Sequence, residues 1–406
     1  MKKLVSLVLV LMMVLSLAAC GKSDDSNDST ENNEYANIKI GLICLHDENS
    51  TYDLNFINAM KEVQAELGLS DDQVIFATGI PEDDSCYAQA KDLVDRGCNI
   101  IIADSFGHED YILQAAQEFP EVQFCHATGT QAHTSGLTNF ANAFASIYEG
   151  RYAAGVAAGL KLNAMIEAGD ITEDEAVMGY VGAFTYAEVI SGYTSFYLGA
   201  KSVCPSVTMK VQFTGSWYDE TAEKEAANAL ISAGCVLISQ HADSMGAPTA
   251  CETAGVPDVS YNGSTVASCP NTFIVSSRIN WAPYYKYVIE CVKDGKQVAA
   301  DWVGGFAEGS VELSDINTAV AAEGTEEKLA EVVEAFKAGT LNVFDTANFT
   351  VNGETLTSYT ADIDTDENYT PDTEAIKDGV FQESVLRSAP AFDIQIDGIE
   401  LLNAAY

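Results

Sequence analysis

A nine-residue segment recurs in this chain, and the recurrence constrains the fold more than any other feature. Residues 90–98 read Ala-Lys-Asp-Leu-Val-Asp-Arg-Gly-Cys, run into Ile100-Ile101-Ile102 and stop at Asp104-Ser105-Phe106-Gly107. Residues 227–235 read Ala-Asn-Ala-Leu-Ile-Ser-Ala-Gly-Cys, run into Val236-Leu237-Ile238 and stop at Asp243-Ser244-Met245-Gly246. Each copy has the pattern of an amphipathic helix ended by glycine, a short buried strand, and a polar loop at the strand's carboxyl end. Two copies imply two similar α/β lobes. Ligands of open α/β sheets sit beyond the carboxyl ends of the strands, so facing lobes bring both Asp-Ser loops to one cleft.

The N-terminus narrows the setting. Lys2 and Lys3 precede an apolar run over 4–17 that is too short to span a bilayer and has the make-up of a secretion signal. It closes on Leu17-Ala18-Ala19-Cys20, which resembles the lipobox of bacterial lipoproteins; the resemblance implies cleavage before Cys20 and a lipid on its sulfur. Residues 21–34 are almost devoid of apolar side chains and read as a solvated tether. The expected localisation is extracytoplasmic, lipid-anchored to a bacterial cell membrane.

Sixty Asp and Glu stand against twenty Lys and Arg, a formal charge of −40. Such a charge repels polyanions, which argues against nucleic acid as a partner and against direct adhesion to anionic lipid. Ten cysteines are present, with no CxxC pair and no Cys/His cluster of zinc spacing. Apart from Cys20 they are scattered beside apolar runs and read as small buried hydrophobes.

The remaining pattern alternates. Strands are predicted at 38–45, 73–78, 100–103, 122–126, 177–181, 208–213, 236–240 and 272–276. Helices are predicted at 55–66, 86–96, 111–118, 145–162, 187–203, 221–233, 281–293 and 326–338. This alternation specifies parallel sheets covered by helices on both faces.

Several ordered motifs suggest a family. His126-Ala127-Thr128-Gly129, Tyr148-Glu149-Gly150-Arg151-Tyr152, Gly179-Tyr180-Val181-Gly182, Leu198-Gly199-Ala200, Ser216-Trp217-Tyr218-Asp219 and Trp281-Ala282-Pro283-Tyr284-Tyr285 together resemble the basic membrane protein family, lipoprotein substrate-binding components of ABC transporters. The resemblance runs from about 38 to about 341. It implies a type I periplasmic-binding-protein fold of two Rossmann-like lobes joined by a hinge, a purine base or purine nucleoside as ligand, and a separate ABC permease and ATPase as partners. The expected organisation is a signal peptide over 1–19, a tether over 20–36, a first lobe over 37–160 with 278–300 returning to it, a second lobe over 161–277 with 301–345, and an acidic extension over 346–406 packed on the second lobe.

A purine needs aromatic faces and a few fixed donors and acceptors at its edge. Where the family commonly has Ser-Phe-Asn, this chain matches Tyr52 to the Phe and Asp53 to the Asn, with Asn55 two residues further on. Tyr52 is placed to stack on a base, and Asp53 keeps an acceptor but loses an amide donor, so the ligand edge read here need not be the family's. Ser105, Phe106 and Gly107 are the expected contribution of the first lobe's second loop, with His108 behind them. Phe184, Trp217, His241, Asp243 and Asn262 are expected from the second lobe. Phe106 and Phe184 equally suit a lobe core, Trp217 the cap of a helix begun by Asp219, and Asp243 an N-cap. Relatives often carry Asp in the loop of Asn262 and Ser264; its absence favours a free base over a ribose.

No catalytic residue, cofactor or metal is expected. His126, His241, Asp104, Asp243 and several serines are components of a nucleoside hydrolase or Ser-His-Asp site, but GxSxG, P-loop and HExxH motifs are absent. A lipid-anchored sensor for the same solutes uses the same lobe closure and stays open as an alternative. Asp362-Ile363-Asp364-Thr365-Asp366 has the start of a calcium loop, yet Glu367 replaces the glycine and Thr373 the closing glutamate, so a solvated acidic loop is expected. Residues 391–402 are expected to add an edge strand pair to the second lobe.

Overall fold

The computed structural model describes residues 34–363 and 372–405. The signal segment, Cys20, most of the tether, and Asp364, Thr365, Asp366 and Glu367 of the acidic loop lie outside the described residues. Glu34 to Ala36 belong to a separate unit, and the chain from Asn37 onward forms one unit containing both sheets.

The first sheet is built from β1 (Ile40–Ile43), β2 (Val74–Ala77), β3 (Ile100–Ala103), β4 (Gln123–Ala127) and β5 (Phe140–Ala145), all parallel. Helices α1 (Thr51–Glu66), α2 (Asp84–Asp95), α3 (Glu109–Glu118) and the short α4 (Ala132–Ser135) connect them. β1 and β3 are buried along their whole length, as strands covered on both faces require. Ser50 caps α1 by accepting from the Asp53 amide, and Asp83 caps α2 by accepting from Ser85.

The chain then crosses at Ser146 into α5 (Ile147–Ala168), followed by β6 (Val177–Gly182), α6 (Ala187–Val203), β7 (Thr208–Phe213), α7 (Glu220–Ser232), β8 (Leu237–His241), α8 (Gly246–Ala254), β9 (Asp258–Tyr261) and β10 (Phe273–Ile279). It crosses back into α9 (Ala282–Lys293) and β11 (Asp301–Gly304), and a third time into β12 (Val311–Leu313) and α10 (Thr325–Lys337). The sheet orders are β11-β5-β4-β3-β1-β2 and β12-β10-β9-β8-β6-β7, with a further edge strand beside β7. At the crossings, Ser146 N–H donates to Gly304 O at 2.8 Å and Asn280 N–H to Ser310 O at 2.8 Å. Glu149 sits beside them, accepts from the Phe306 amide at 2.8 Å, and is pushed up to about 7 by burial.

These crossings correct the expected boundaries. α5 packs on α6, β10 and α10, so 147–160 lie with the second sheet. Its sequence carries little of the amphipathic periodicity that marks a partner: Gly155 and Gly199 let it approach α6 so closely that a Cβ on either would stand 2.0 Å from the other helix's carbonyl oxygen. Arg278 and Ile279 remain in β10, and α9 alone then packs back on α1. β11 pairs with β5 in the first sheet rather than with the second lobe.

The C-terminal segment contributes the two-residue strands β13 (Thr360–Ala361), β14 (Thr373–Glu374), β15 (Ile376–Lys377) and β16 (Val380–Phe381), and then β17 (Ile399–Leu401). β17 is the edge strand beside β7, a single parallel strand where a pair was expected. Glu383 ties the segment to the second lobe by accepting from Ser191 Oγ at 2.5 Å and from the amides of Ala391 and Phe392. The Ser388 amide donates to Asp301 at 2.6 Å, so the extension touches both sheets rather than the second lobe alone.

Among the described residues nine cysteines are free and buried. Burial pushes the thiols of Cys125 up to about 12 and of Cys235 and Cys269 up to about 11. No helix of the described residues is long and apolar enough to cross a membrane.

Candidate functional site

The repeated segments end in matching geometry. Gly97 and Gly234 adopt left-handed φ of 85° and 90°, and the amides of Cys98 and Cys235 close each helix on Leu93 O and Leu230 O. β3 and β8 follow, and their carboxyl-end loops face each other across a cavity with about 390 Å³ of empty space, counting its open mouth. Leu45, His46, Tyr52, Asp53, Ser105, Phe106 and Thr128 line it from the first lobe, and Glu188, Trp217, His241, Asp243 and Tyr261 from the second. No lysine or arginine is among these residues.

The lobes touch around this cavity. Thr51 N–H donates to Asp243 O at 3.1 Å, and Asn55 Nδ2 lies 3.2 Å from both Asn262 O and Asn262 Oδ1. The Phe106 and Tyr186 rings meet at 5.4 Å, as do His46 and Tyr218. The arrangement is a closed cleft.

Of the eleven residues expected at the ligand, seven line the cavity: Tyr52, Asp53, Ser105, Phe106, Trp217, His241 and Asp243. The other four do something else. Gly107 donates its amide to Glu82 at 2.8 Å; Asn55 and Asn262 hold each other across the lobes; Phe184 stacks on Tyr186 at 5.1 Å and meets Trp217 edge-on at 5.0 Å, backing the wall rather than forming it. Ser105 Oγ is also engaged, donating to Glu82 at 2.6 Å. Asp219 caps α7 through the Ala222 amide, whereas Asp243 lies ahead of the N-cap of α8, which is Met245.

Asp53 is largely spent within its own loop. It accepts from the His46 amide at 2.8 Å and Ser50 Oγ at 2.6 Å; burial opposes its charge, but these bonds prevail and hold it below its ordinary value. Asp104 lies beneath, fully buried, raised well above the carboxylate range by burial and by the Asp53 charge. Cys44 Sγ and one oxygen from each of these carboxyls lie within 4.8 Å of one another. With the proton on Asp104, the pair carries one charge, which is how two buried carboxyls coexist.

Residues not singled out as ligand contacts complete the site. Thr128 has a left-handed φ of 67°, costly for a β-branched residue, and its buried Oγ1 has no protein partner. Tyr261 Oη is likewise buried and unpartnered, and its ring lies 4.6 Å from His241. Glu188 gave no signal in the sequence beyond an acidic residue in the first turn of a helix, where acids commonly sit.

A family model described as ABC transporter substrate-binding protein, PnrA-like (Bmp), matches residues 45–340. The chain belongs to the Bmp family. It is 32% identical over 287 residues to a purine-binding protein of Brucella abortus (strain 2308), covering 70% of this chain and 77% of that one. It is 33% identical over 211 residues to a putative ABC transporter glucose-binding protein of Haloferax volcanii, covering 52% of this chain and 50% of that one. Among solved structures, an ABC transporter solute-binding protein from Conexibacter woesei superposes with a TM-score of 0.61 at 19% identity, covering 75% of this Bmp chain and 98% of its own, and has the same fold. Proteins of this kind bind a solute outside the cytoplasm and work with a permease and an ATPase. This Bmp protein therefore has the two-lobed type I fold expected from the resemblance.

Proposed function

We propose that this Bmp protein is a lipid-anchored receptor that closes around a purine base or purine nucleoside and presents the closed form to its permease. The observation that carries the reading is the cavity wall. Tyr52, Phe106, Trp217 and Tyr261 surround a space whose lining residues Thr128, His241 and Tyr261 each carry a buried polar atom without a protein partner, and no lysine or arginine lines it. Flat aromatic faces with a few convergent polar groups suit a neutral heterocycle and disfavour a phosphorylated one. The purine-binding relative from Brucella supports the same solute class.

The test is a thermal-shift screen of the fragment following Cys20 against purine bases, nucleosides, pyrimidines, sugars and amino acids. A ligand that prefers the native state raises the melting temperature once it exceeds its dissociation constant. Shifts confined to purines are the expected result and decide base against nucleoside. Shifts with sugars alone keep the receptor and overturn the purine, in line with the Haloferax relative's name. The anchor is tested by the mass of the Cys20 peptide from membranes, which carries a diacylglyceryl increment if the lipobox is used.

A further inference from the structure

Arg151 rises from α5 into the second lobe and is completely buried. Its Nη2 lies 2.8 Å from Ser239 Oγ, 3.1 Å from Tyr180 Oη and 3.2 Å from Gln240 O, and its Nη1 lies 3.4 Å from Ser260 O and Ser277 Oγ. The guanidinium carbon stands 5.0 to 5.3 Å from the rings of Tyr180, Phe196 and Tyr261, within cation–π range. This is a buried cation held by neutral acceptors and aromatic faces, one layer behind the cavity.

Its consequence follows from counting donors. An arginine has no acceptor, so Tyr180 Oη must accept from it. The single hydroxyl hydrogen of Tyr180 is then free to point at His241 Nδ1, 3.3 Å away. A neutral imidazole that accepts at Nδ1 carries its proton at Nε2. Burial keeps His241 neutral, its pKa below the ordinary histidine value. Nε2 has no hydrogen-bond partner; Glu188 Oε1 stands 3.5 Å from it, beside the cavity. Space for the ring is made by Gly192, where a Cβ would stand 2.6 Å from Nδ1.

We infer that Arg151, acting through Tyr180, locks His241 as the Nε2–H tautomer, so that the cleft reads a solute edge bearing an acceptor next to an N–H. His241 donates to the acceptor and Glu188 receives the N–H. Arg151 and Tyr180 are positioning residues; His241 and Glu188 are the contacts. The solute half of this inference rests on the purine reading above and deepens it. A 6-aminopurine presents such an edge where its amino group flanks N1 or N7, and a purine base unsubstituted at N9 presents another at N3 and N9–H. A nucleoside keeps the first and loses the second.

The experiment has two arms. In the first, the ligand-free protein is labelled with 15N-histidine and its ring nitrogens are observed by long-range proton–nitrogen correlation, His241 being assigned by His241→Gln. The expected spectrum has an unprotonated Nδ1 and a protonated Nε2. Tyr180→Phe, which leaves Arg151 its Ser239 and Gln240 acceptors, is expected to shift the His241 nitrogens toward a tautomer mixture. A protonated Nδ1 in the wild type, or a Tyr180→Phe spectrum identical to it, overturns the lock. The second arm compares adenine, 1-deazaadenine, 7-deazaadenine and 9-methyladenine by calorimetry. One analogue is expected to bind at least about tenfold more weakly than adenine, the worth of one lost hydrogen bond in a buried site, and the discrimination to vanish in His241→Gln. Equal binding of all four overturns the edge assignment. If no purine binds while the Nε2–H tautomer is observed, the lock stands and the purine reading falls.

Discussion

Asn55→Ala should weaken solute binding without unfolding the protein. Asn55 does not line the cavity; its amide nitrogen bridges from α1 to Asn262 in the second lobe, shared at 3.2 Å between a carbonyl and a side-chain oxygen. Both residues are buried, at 7% and 1% exposure, so in the closed form removal of the donor leaves two oxygens without it and without water. A shared, long hydrogen bond between neutral groups belongs at the lower end of the usual range, so the loss is about 1 to 2 kcal/mol. That energy exists only when the lobes meet. It is therefore subtracted from closure, and the apparent dissociation constant rises by about 5- to 30-fold. In the open form the same groups are hydrated, so the unfolding free energy without solute should change by less than about 0.5 kcal/mol. Calorimetry with the best solute from the thermal screen, paired with urea unfolding of the ligand-free protein, separates the two quantities. Unchanged affinity refutes the latch. A loss of 1 to 2 kcal/mol in stability with unchanged affinity shows instead that the contact is permanent.

Trp217→Ala should abolish most solute affinity while the far-ultraviolet circular dichroism stays native, because the ring lines the cavity and lies against Phe184 rather than in a lobe core; loss of the folded signal would place it in the core. Stability should fall as pH rises from about 6.5 to 8. Burial lifts Glu149, Glu223, Asp258 and Glu383 to about 7, so the native state holds protons there that the unfolded chain has already lost. The buried histidines His108, His126 and His241, all lowered chiefly by burial, oppose this only below their unfolded value, so a melting temperature that is flat or rising over that window contradicts the assignment.

Much of this was legible because the two copies of the repeat carry their own punctuation. Glycine ends each helix, an apolar run makes each strand, and the polar loop beyond must lie at the sheet's carboxyl edge. Ser105, Phe106, His241 and Asp243 reach the cavity on that logic, while Tyr52, Asp53 and Trp217 were placed by the family resemblance. What escaped is equally physical. β5 reads Phe-Ala-Asn-Ala-Phe-Ala, half of it alanine, and β9 is only the four residues Asp-Val-Ser-Tyr, opening on an Asp that strands disfavour. Both are stabilised by partners outside the strand: Asn142 bonds Glu109 and the Ala132 amide, and Ser260 O accepts from Arg151 Nη1 at 3.4 Å. The lobe boundaries were misplaced because a crossing at Ser146 has no composition of its own. Arg151 was visible only as part of a motif, since burial of a charge among tyrosines and serines is decided by the packing of α5.

The nine buried thiols divide the life of the molecule into two chemical regimes. In the folded state each sulfur is buried, and burial pushes those of Cys125, Cys235 and Cys269 up to about 11 to 12, so almost none of these three is present as the thiolate that attacks a disulfide or an oxidant. In the unfolded chain the same sulfurs are ordinary, exposed and mutually reactive. Susceptibility to mispairing is thus a race between collapse and oxidation, run once before the native structure closes over the sulfurs, and repeated only as often as the protein opens.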